Sequence, residues 1–329
     1  MLNQRIPTPR GPAAPVSPIL ITGCSTGIGR ATAHRLVHDG HFVYATARTP
    51  EAVKELRGAT CRTLRLDLTD EASMRAAVEV VEQEHGRIGT LVNNAGYAEI
   101  GPAELLTTER LRLQFETNVF GTWRLCQLAL PAMRAAGTGR IVNVGSIGDS
   151  CTLPLWGAYT ASKHALKALN DTLRMELAPY GITTVLVEPG LIDTHFAAAI
   201  DQNITRHGTD GPHPAYDAQM RGFGAVLGDV LSRGATSARL RATLLQRITQ
   251  KPDAVARTIA TAATAPRPHP HYRVPLHARL AIAAHHALPA RSWDALTRLL
   301  FLGRAGAAAP PRGAPLAGAP ARRVPGGER

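Results

Sequence analysis

Residues 159–163 read YTASK, inside PLWGAYTASKHALKALNDTLRMELAPYG. A phenol and an ammonium four positions apart on a helix share one face, with Cβ atoms about 5–6 Å apart. Such a pair can pass a proton, or it can be two neighbours on an ordinary helix, and taken alone the ordinary pair is the better reading. A second stretch, TGCSTGIG at residues 22–29, places Gly23, Gly27 and Gly29 directly after the apolar run PILIT. Glycines there let the backbone turn sharply and approach a diphosphate, whose charge is met by free N–H groups and by the dipole of the following helix. A bare strand-to-helix turn looks the same in isolation, so its context gives the pattern its weight.

Dinucleotide sites that prefer NAD carry an acid at the end of the second strand for the ribose 2′-hydroxyl. Here that strand reads FVYATAR: Ala47 stands at the acid position, Arg48 follows it, and Arg30 lies just beyond the glycine turn. Two cations at this point suit a 2′-phosphate. The expected cofactor is therefore NADP(H) rather than NAD(H); the competing reading is two solvated arginines.

These residues need elements to position them, and the chain supplies alternating short apolar runs and helical stretches. Strand candidates are PILIT (18–22), FVYATA (42–47), TLRLDL (63–68), IGTLVNNAG (88–96), RIVNVGS (140–146), ITTVLVEPG (182–190) and HYRVP (271–275). Between them lie helical stretches, among them EASMRAAVEVVEQEHG, a long one over about 107–136, the YTASK helix running to about Tyr180, and PDAVARTIATAATA. Apolar strands alternating with helices predict an α/β fold: a doubly wound parallel sheet of the Rossmann type, in a single domain with a C-terminal helical extension. Periodicity fails over 191–250, a Gly-rich polar segment at the carboxyl end of a strand, where such folds place substrate-binding structure. Residues 276–303 read as two short amphipathic helices split at Pro289; their apolar face is open to ordinary packing, to covering the pocket, to subunit pairing or to peripheral contact with a membrane surface. The expected division is a disordered leader at 1–17, the dinucleotide-binding domain at 18–275, the helical extension at 276–303 and a disordered basic Ala/Pro/Arg tail at 304–329.

With 329 residues, 44% of them hydrophobic, the chain can bury a sizeable core. No apolar run approaches the roughly 18 residues that would suggest a membrane-spanning helix, and the N-terminus lacks the apolar segment of a secretory signal. The four cysteines, Cys24, Cys61, Cys126 and Cys151, form no CxxC pair; neither a zinc site nor a disulfide framework is expected, and a reduced cytoplasmic setting fits. The formal net charge is +12, but residues 266–329 hold ten arginines against Asp294 and Glu328, and residues 1–18 add Arg5 and Arg10. The basicity thus belongs to the ends, which argues for solvated tails and against a nucleic-acid footprint.

Taken together, the motifs resemble the short-chain dehydrogenase/reductase family, in its single-domain branch. TGCSTGIG, Asp67 after the third strand, NNAG at 93–96, Asn118 in TNVFG, Ser146 closing a strand, Tyr159 with Lys163, and PG at 189 followed by Thr194 carry the resemblance. It implies that Tyr159 is the general acid in carbonyl reduction and the base in alcohol oxidation. A free phenol, with a pKa of about 10, is a poor base at neutral pH, so the neighbouring charge of Lys163 is expected to favour the tyrosinate while its ammonium holds the nicotinamide ribose. Ser146, thirteen residues before the tyrosine, would hold the substrate oxygen where charge develops, and Asn118 would hold a water linking Lys163 to solvent.

On the cofactor side, the resemblance implies that Ser25 and Ile28 meet the phosphates and adenosine ribose, with Arg30 and Arg48 nearby. Asp67 would contact the adenine amino group, with Leu68 alongside. Asn94, Ala95 and Gly96 would run past the ribose, and Pro189, Gly190, Ile192 and Thr194 would lie against the nicotinamide. No metal is implied. VYATAR, VEPG, the long pocket segment and the apolar C-terminal region are similar to the branch of retinol and 17β-hydroxysteroid dehydrogenases, so a bulky apolar alcohol or ketone is expected, with a 3-oxoacyl thioester reductase as rival. A non-catalytic NADP(H)-binding regulator is a reading of another class, and the complete Asn118, Ser146, Tyr159 and Lys163 set argues against it. Family members commonly pair through the two long helices, so a homodimer or homotetramer is expected.

Overall fold

The computed structural model describes residues 17–192, 215–232 and 250–302. Its sheet comprises β1 (Ile19–Ile21), β2 (Val43–Ala47), β3 (Cys61–Arg65), β4 (Thr90–Asn93), β5 (Gly139–Val144), β6 (Ile182–Pro189) and β7 (His271–Val274). They pair in the order β3-β2-β1-β4-β5-β6-β7, parallel throughout. The order reverses between β1 and β4, and folds of this type open a ligand crevice at such a switch point, outside the carboxyl ends of the strands.

Helices cover both faces, and the period of two along each strand divides the core between them. Ile19, Ile21, Val43, Ala45, Val92, Val142 and Val185 join one cluster with Leu36 and Ile259, from α1 (Gly27–His38) and α7 (Pro252–Thr264). Leu20, Tyr44, Leu91 and Ile141 point the other way, joining Met74, Val78, Leu125 and Leu173 from α2 (Glu71–His85), α4 (Thr122–Ala135) and α5 (Gly157–Leu177). Burial on both sides explains why these strands are nearly all apolar rather than alternating.

The structure sharpens several expectations. The third strand ends at Arg65, short of the expected 68, so Asp67 lies in the following turn, where its Oδ1 accepts from Thr69 N at 3.0 Å. The long helix over 107–136 is α3 (Thr108–Phe115) running into α4 through a π-helical turn, Glu116–Gly121. That turn carries Asn118, and π-turns inside helices often mark functional positions. The segment 191–250, read as irregular, contains α6 (Asp217–Ser232). The extension forms α8 (Leu276–Ala287) and α9 (Ala290–Phe301), separated at Leu288 and Pro289 as expected. The remainder of the leader 1–17 before Ser17, the tail 304–329, the segments 193–214 and 233–249, and Thr194 lie outside the described residues. Among the described residues no helix is long and apolar enough to cross a membrane.

Candidate active site

Strand β5 ends at Val144, and two residues later Ser146, in extended backbone, caps a single 3-10 turn, Ile147–Asp149. The Gly148 N–H donates to Ser146 Oγ at 3.0 Å, which occupies one oxygen lone pair and leaves the hydroxyl hydrogen free to donate. A Cβ on Gly148 would lie 3.3 Å from Ser146 Oγ and 3.3 Å from Tyr159 Cε1. The serine and the tyrosine therefore face each other across a residue with no side chain.

Tyr159 and Lys163 lie on the buried face of α5. Lys163 Nζ donates to the Val144 carbonyl at 2.8 Å and stands 5.8 Å from the centre of the Tyr159 ring. Burial lowers the lysine pKa to about 8, against the pull of the Asp149 charge. The tyrosine goes the other way: burial raises it to about 12, a hydrogen bond with Ser146 opposes this, and the Asp149 charge adds to the rise. Burial is the largest cause, and its direction is opposite to the lowering expected from Lys163. The phenol keeps its proton, the form required of a donor.

Asn118 completes the constellation. Its Oδ1 accepts from Tyr97 N at 3.1 Å, and its Nδ2 donates to the Tyr97 carbonyl at 3.0 Å and to Ser162 Oγ at 3.1 Å. A Cβ on Gly96 would stand 3.1 Å from Asn118 Oδ1 and 3.8 Å from Lys163 Nζ, so Gly96 separates the two. The side-chain amide is thus bonded within the protein, to the Tyr97 main chain and to Ser162 on α5.

The glycine turn lies beside β4 at the switch point. Gly23 and Gly27 have positive φ, 72° and 58°, which residues with a Cβ adopt at a cost. A Cβ on Gly29 would collide with the Gly23 carbonyl oxygen and Asn94 Nδ2, and one on Gly23 would come within 2.9 Å of Ala95 Cα. Asn94 braces the turn rather than reaching outward: Nδ2 donates to the carbonyls of Thr22 at 2.9 Å and Gly23 at 3.2 Å. Thr26, the N-cap of α1, makes no side-chain capping bond, so the first N–H groups of the helix remain available to an anion. A tight backbone cradle under an uncapped helix start fits a dinucleotide diphosphate. Around it, Ile28 packs against the core, the Ser25 carbonyl accepts from Arg30 Nη1 at 3.2 Å, and Asp67 Oδ1 also accepts from Thr69 Oγ1 at 2.8 Å. Leu68 packs under Gly121.

Of the two arginines expected at the 2′-position, Arg48 is exposed at the end of β2. Arg30 pairs with Glu55 at 2.6 Å, so part of its charge is already answered. Across the crevice, Pro189 closes β6, Gly190 N donates to the Val274 carbonyl at 2.8 Å, and Ile192 bridges to Gln250. A Cβ on Gly190 would strike His277 Nε2, a buried atom with no hydrogen-bond partner.

Residues 17–205 match the family model for short chain dehydrogenases. The chain belongs to the short-chain dehydrogenase family. A 3-ketodihydrosphingosine reductase of Bacteroides thetaiotaomicron is 42% identical over 179 residues, 54% of this chain and 65% of that protein. An NADPH-dependent 3-dehydrocapnine reductase of Ornithobacterium rhinotracheale is 38% identical over 184 residues, 53% of this chain and 65% of that one. The chain therefore spans just under two thirds of the length of these two relatives. A crystal structure of a short-chain dehydrogenase from Streptomyces avermitilis superposes with a TM-score of 0.65 at 28% identity, covering 86% of this chain and 96% of that one.

Within this short-chain dehydrogenase, some residues of the site escaped the sequence reading. Thr22 Oγ1 accepts from the N–H groups of Asn94 at 3.0 Å and Ala95 at 2.9 Å, tying β1 to β4; its place at the head of TGCSTGIG was the available signal. Asp149 lies beneath Ser146, and the spacing Ser-x-x-Asp of a capping box could have exposed it. Around Tyr159, Ala98, Ile100, Leu155, Phe223 and Leu302 form one apolar cluster flanked by Trp156 and Met220. The Trp156 ring meets Tyr159 edge-on at 5.4 Å between centroids, and Phe223 at 6.3 Å. No sequence signal joins these residues, which come from four separate segments. All four cysteines are free and buried, and no cluster of metal-ligating side chains exists among the described residues.

Proposed function

We propose that this chain is an NADP(H)-dependent oxidoreductase acting between the alcohol and carbonyl forms of a bulky apolar substrate. The observation that carries this reading is the facing pair of Ser146 and Tyr159 across Gly148, with Lys163 behind, at the carboxyl end of the sheet. When bound, the nicotinamide supplies or accepts the hydride. In reduction, the Ser146 hydroxyl donates to the substrate oxygen and places it against the phenol. Tyr159 then gives its proton to that oxygen as negative charge develops on it. A proton returns to the phenolate from solvent through Lys163 and a water held by Asn118.

The cradle formed by Gly23, Ser25, Gly27, Ile28 and Gly29 holds the diphosphate, Asp67 and Leu68 the adenine, and Arg48 with Arg30 the 2′-phosphate. Ala95 and Gly96 flank the ribose, braced by Asn94, and Pro189, Gly190 and Ile192 flank the nicotinamide. The name of the NADPH-dependent relative supports NADP(H), as do Ala47 and Arg48 in place of an acid. The apolar cluster over Tyr159 supports a bulky substrate, and two relatives are named as reductases of keto or dehydro compounds. Residues 18–275 form the catalytic domain, with the extension 276–303 closing on it through Leu302. The exposed Leu111, Leu113, Phe120 and Met175 on α3, the π-turn and α5 support pairing into a homodimer or homotetramer.

The test is NADPH oxidation by purified protein over a panel of steroids, retinoids, long-chain ketones and short 3-oxoacyl thioesters. Turnover of bulky ketones is expected. A protein that reduces the thioesters alone is a different reductase, and one that binds NADPH but reduces nothing on the panel is not the enzyme proposed.

A further inference from the structure

Below Ser146 lies a charged side chain that the mechanism above does not use. Asp149 is 1% exposed, an unusual place for a carboxyl group, whose burial needs compensation. Its Oδ2 accepts from Ser146 N at 3.2 Å and its Oδ1 from Ser150 Oγ at 3.0 Å. Together with the Gly148 N–H on Ser146 Oγ, the first of these bonds closes a capping box around the serine. A Cβ on Gly145 would come within 2.6 Å of Asp149 Oδ2, so Gly145 leaves room for the carboxyl group to reach back under the strand end.

The electrostatic surroundings are as specific. Tyr159, Lys163 and Lys167 face Asp149 from α5, Glu188 from β6, and Cys151 from the next residues of its own loop. Glu188 is fully buried and surrounded by three cationic groups, with Lys167 Nζ, His271 Nδ1 and Arg273 Nε each at 3.3 Å. Of the two acids, Glu188 therefore holds its charge. For Asp149, Lys167 and the bonds from Ser146 N and Ser150 Oγ do not outweigh burial and the neighbouring Glu188 charge, so its own pKa is raised. It ionises before the buried phenol does, and a carboxylate beside Tyr159 opposes a second negative charge there.

We infer, building on the proposed function, that Asp149 is a positioning residue for the reaction: by closing the turn beneath Ser146 it holds the serine hydroxyl as a donor, and by its charge it keeps the proton on Tyr159. Both effects favour the proton-donating state of the site. They act through Ser146 and Tyr159, and Asp149 itself touches neither substrate nor cofactor.

The test uses the full-length protein with Asp149→Ala, Asp149→Asn and Tyr159→Phe. With NADPH and 2-decanone as probe, Asp149→Ala is expected to lower kcat about 10- to 100-fold, the scale of a small misplacement of reacting groups, with KM for NADPH unchanged. Asp149→Asn, whose amide oxygen still accepts from Ser146 N, is expected to lose less than about tenfold. Ultraviolet difference titration of tyrosine in the NADP+-saturated protein, with Tyr159→Phe subtracted, reads the Tyr159 ionisation without turnover, so it decides even if the ketone is not reduced. Asp149→Asn is expected to move that midpoint to lower pH. Wild-type kcat in Asp149→Ala, or an unmoved midpoint in Asp149→Asn, overturns the inference. Near-normal turnover by Tyr159→Phe instead overturns the proposed function on which it rests.

Discussion

The glycine turn and the apolar cover over Tyr159 are built on opposite principles. The turn is eight consecutive residues, 22–29, braced by Thr22 and Asn94 and read largely through the backbone. The cover draws Ala98 and Ile100 from the loop after β4, Leu155 from the approach to α5, Phe223 from α6 and Leu302 from the end of α9. A ligand met by backbone N–H groups needs residues that are absent, namely side chains the glycines lack. A ligand met by apolar surface needs several side chains brought from far apart. The first requirement is local and legible, whereas the second depends on the whole fold.

Substitutions can separate the two regions, and the proposed catalytic pair between them gives the largest effect. Tyr159→Phe is expected to lower kcat by about 10²- to 10⁴-fold, the usual contribution of a positioned acid or base, with NADPH affinity by fluorescence titration retained. Gly29→Ala is expected to weaken NADPH binding roughly 10- to 100-fold, the equivalent of the roughly 1–3 kcal/mol that overpacking costs. The same variant leaves the substrate preference across a ketone panel as it was; a changed preference would break the division between the regions.

Arg48→Asp is expected to shift the ratio of NADPH to NADH dissociation constants about tenfold towards NADH, by loss of a charge-assisted contact. An unchanged ratio would assign Arg48 to solvent. Phe223→Ala is expected to raise KM for long-chain ketones about tenfold through lost apolar contact, while the NADPH dissociation constant stays fixed. Equal effects on both ligands would show that the cover is not a substrate surface.

The smallest effect concerns stability beneath the cover. Burial pushes the Glu188 carboxyl up, but His271, Lys167 and Arg273 hold it well below its ordinary 4.5. Its contribution is therefore present above pH 4.5 and lost as pH falls below that value, where the unfolded chain binds the proton first. Wild-type Tm is expected to drop over that acid range, and Glu188→Gln to flatten the drop at the expense of a lower Tm at pH 7. A Glu188→Gln protein with the wild-type acid profile would exclude this network as its source.

The amino-acid sequence by itself determined the sheet, its glycine turn and the candidate set Asn118, Ser146, Tyr159 and Lys163. Apolar runs covered on both faces, glycines where no Cβ fits, and fixed spacings along one strand end and one helix are all local requirements, each written in contiguous residues. Only the tertiary structure decided what depends on distance in space. It raised the phenol's pKa by burial, bonded the Asn118 amide to Tyr97 and Ser162, and paired Arg30 with Glu55. It also put Asp149 beneath the serine and joined Leu155, Phe223 and Leu302 above the tyrosine. Those outcomes turn on which side chains exclude water from which charges, and no spacing along the chain records that.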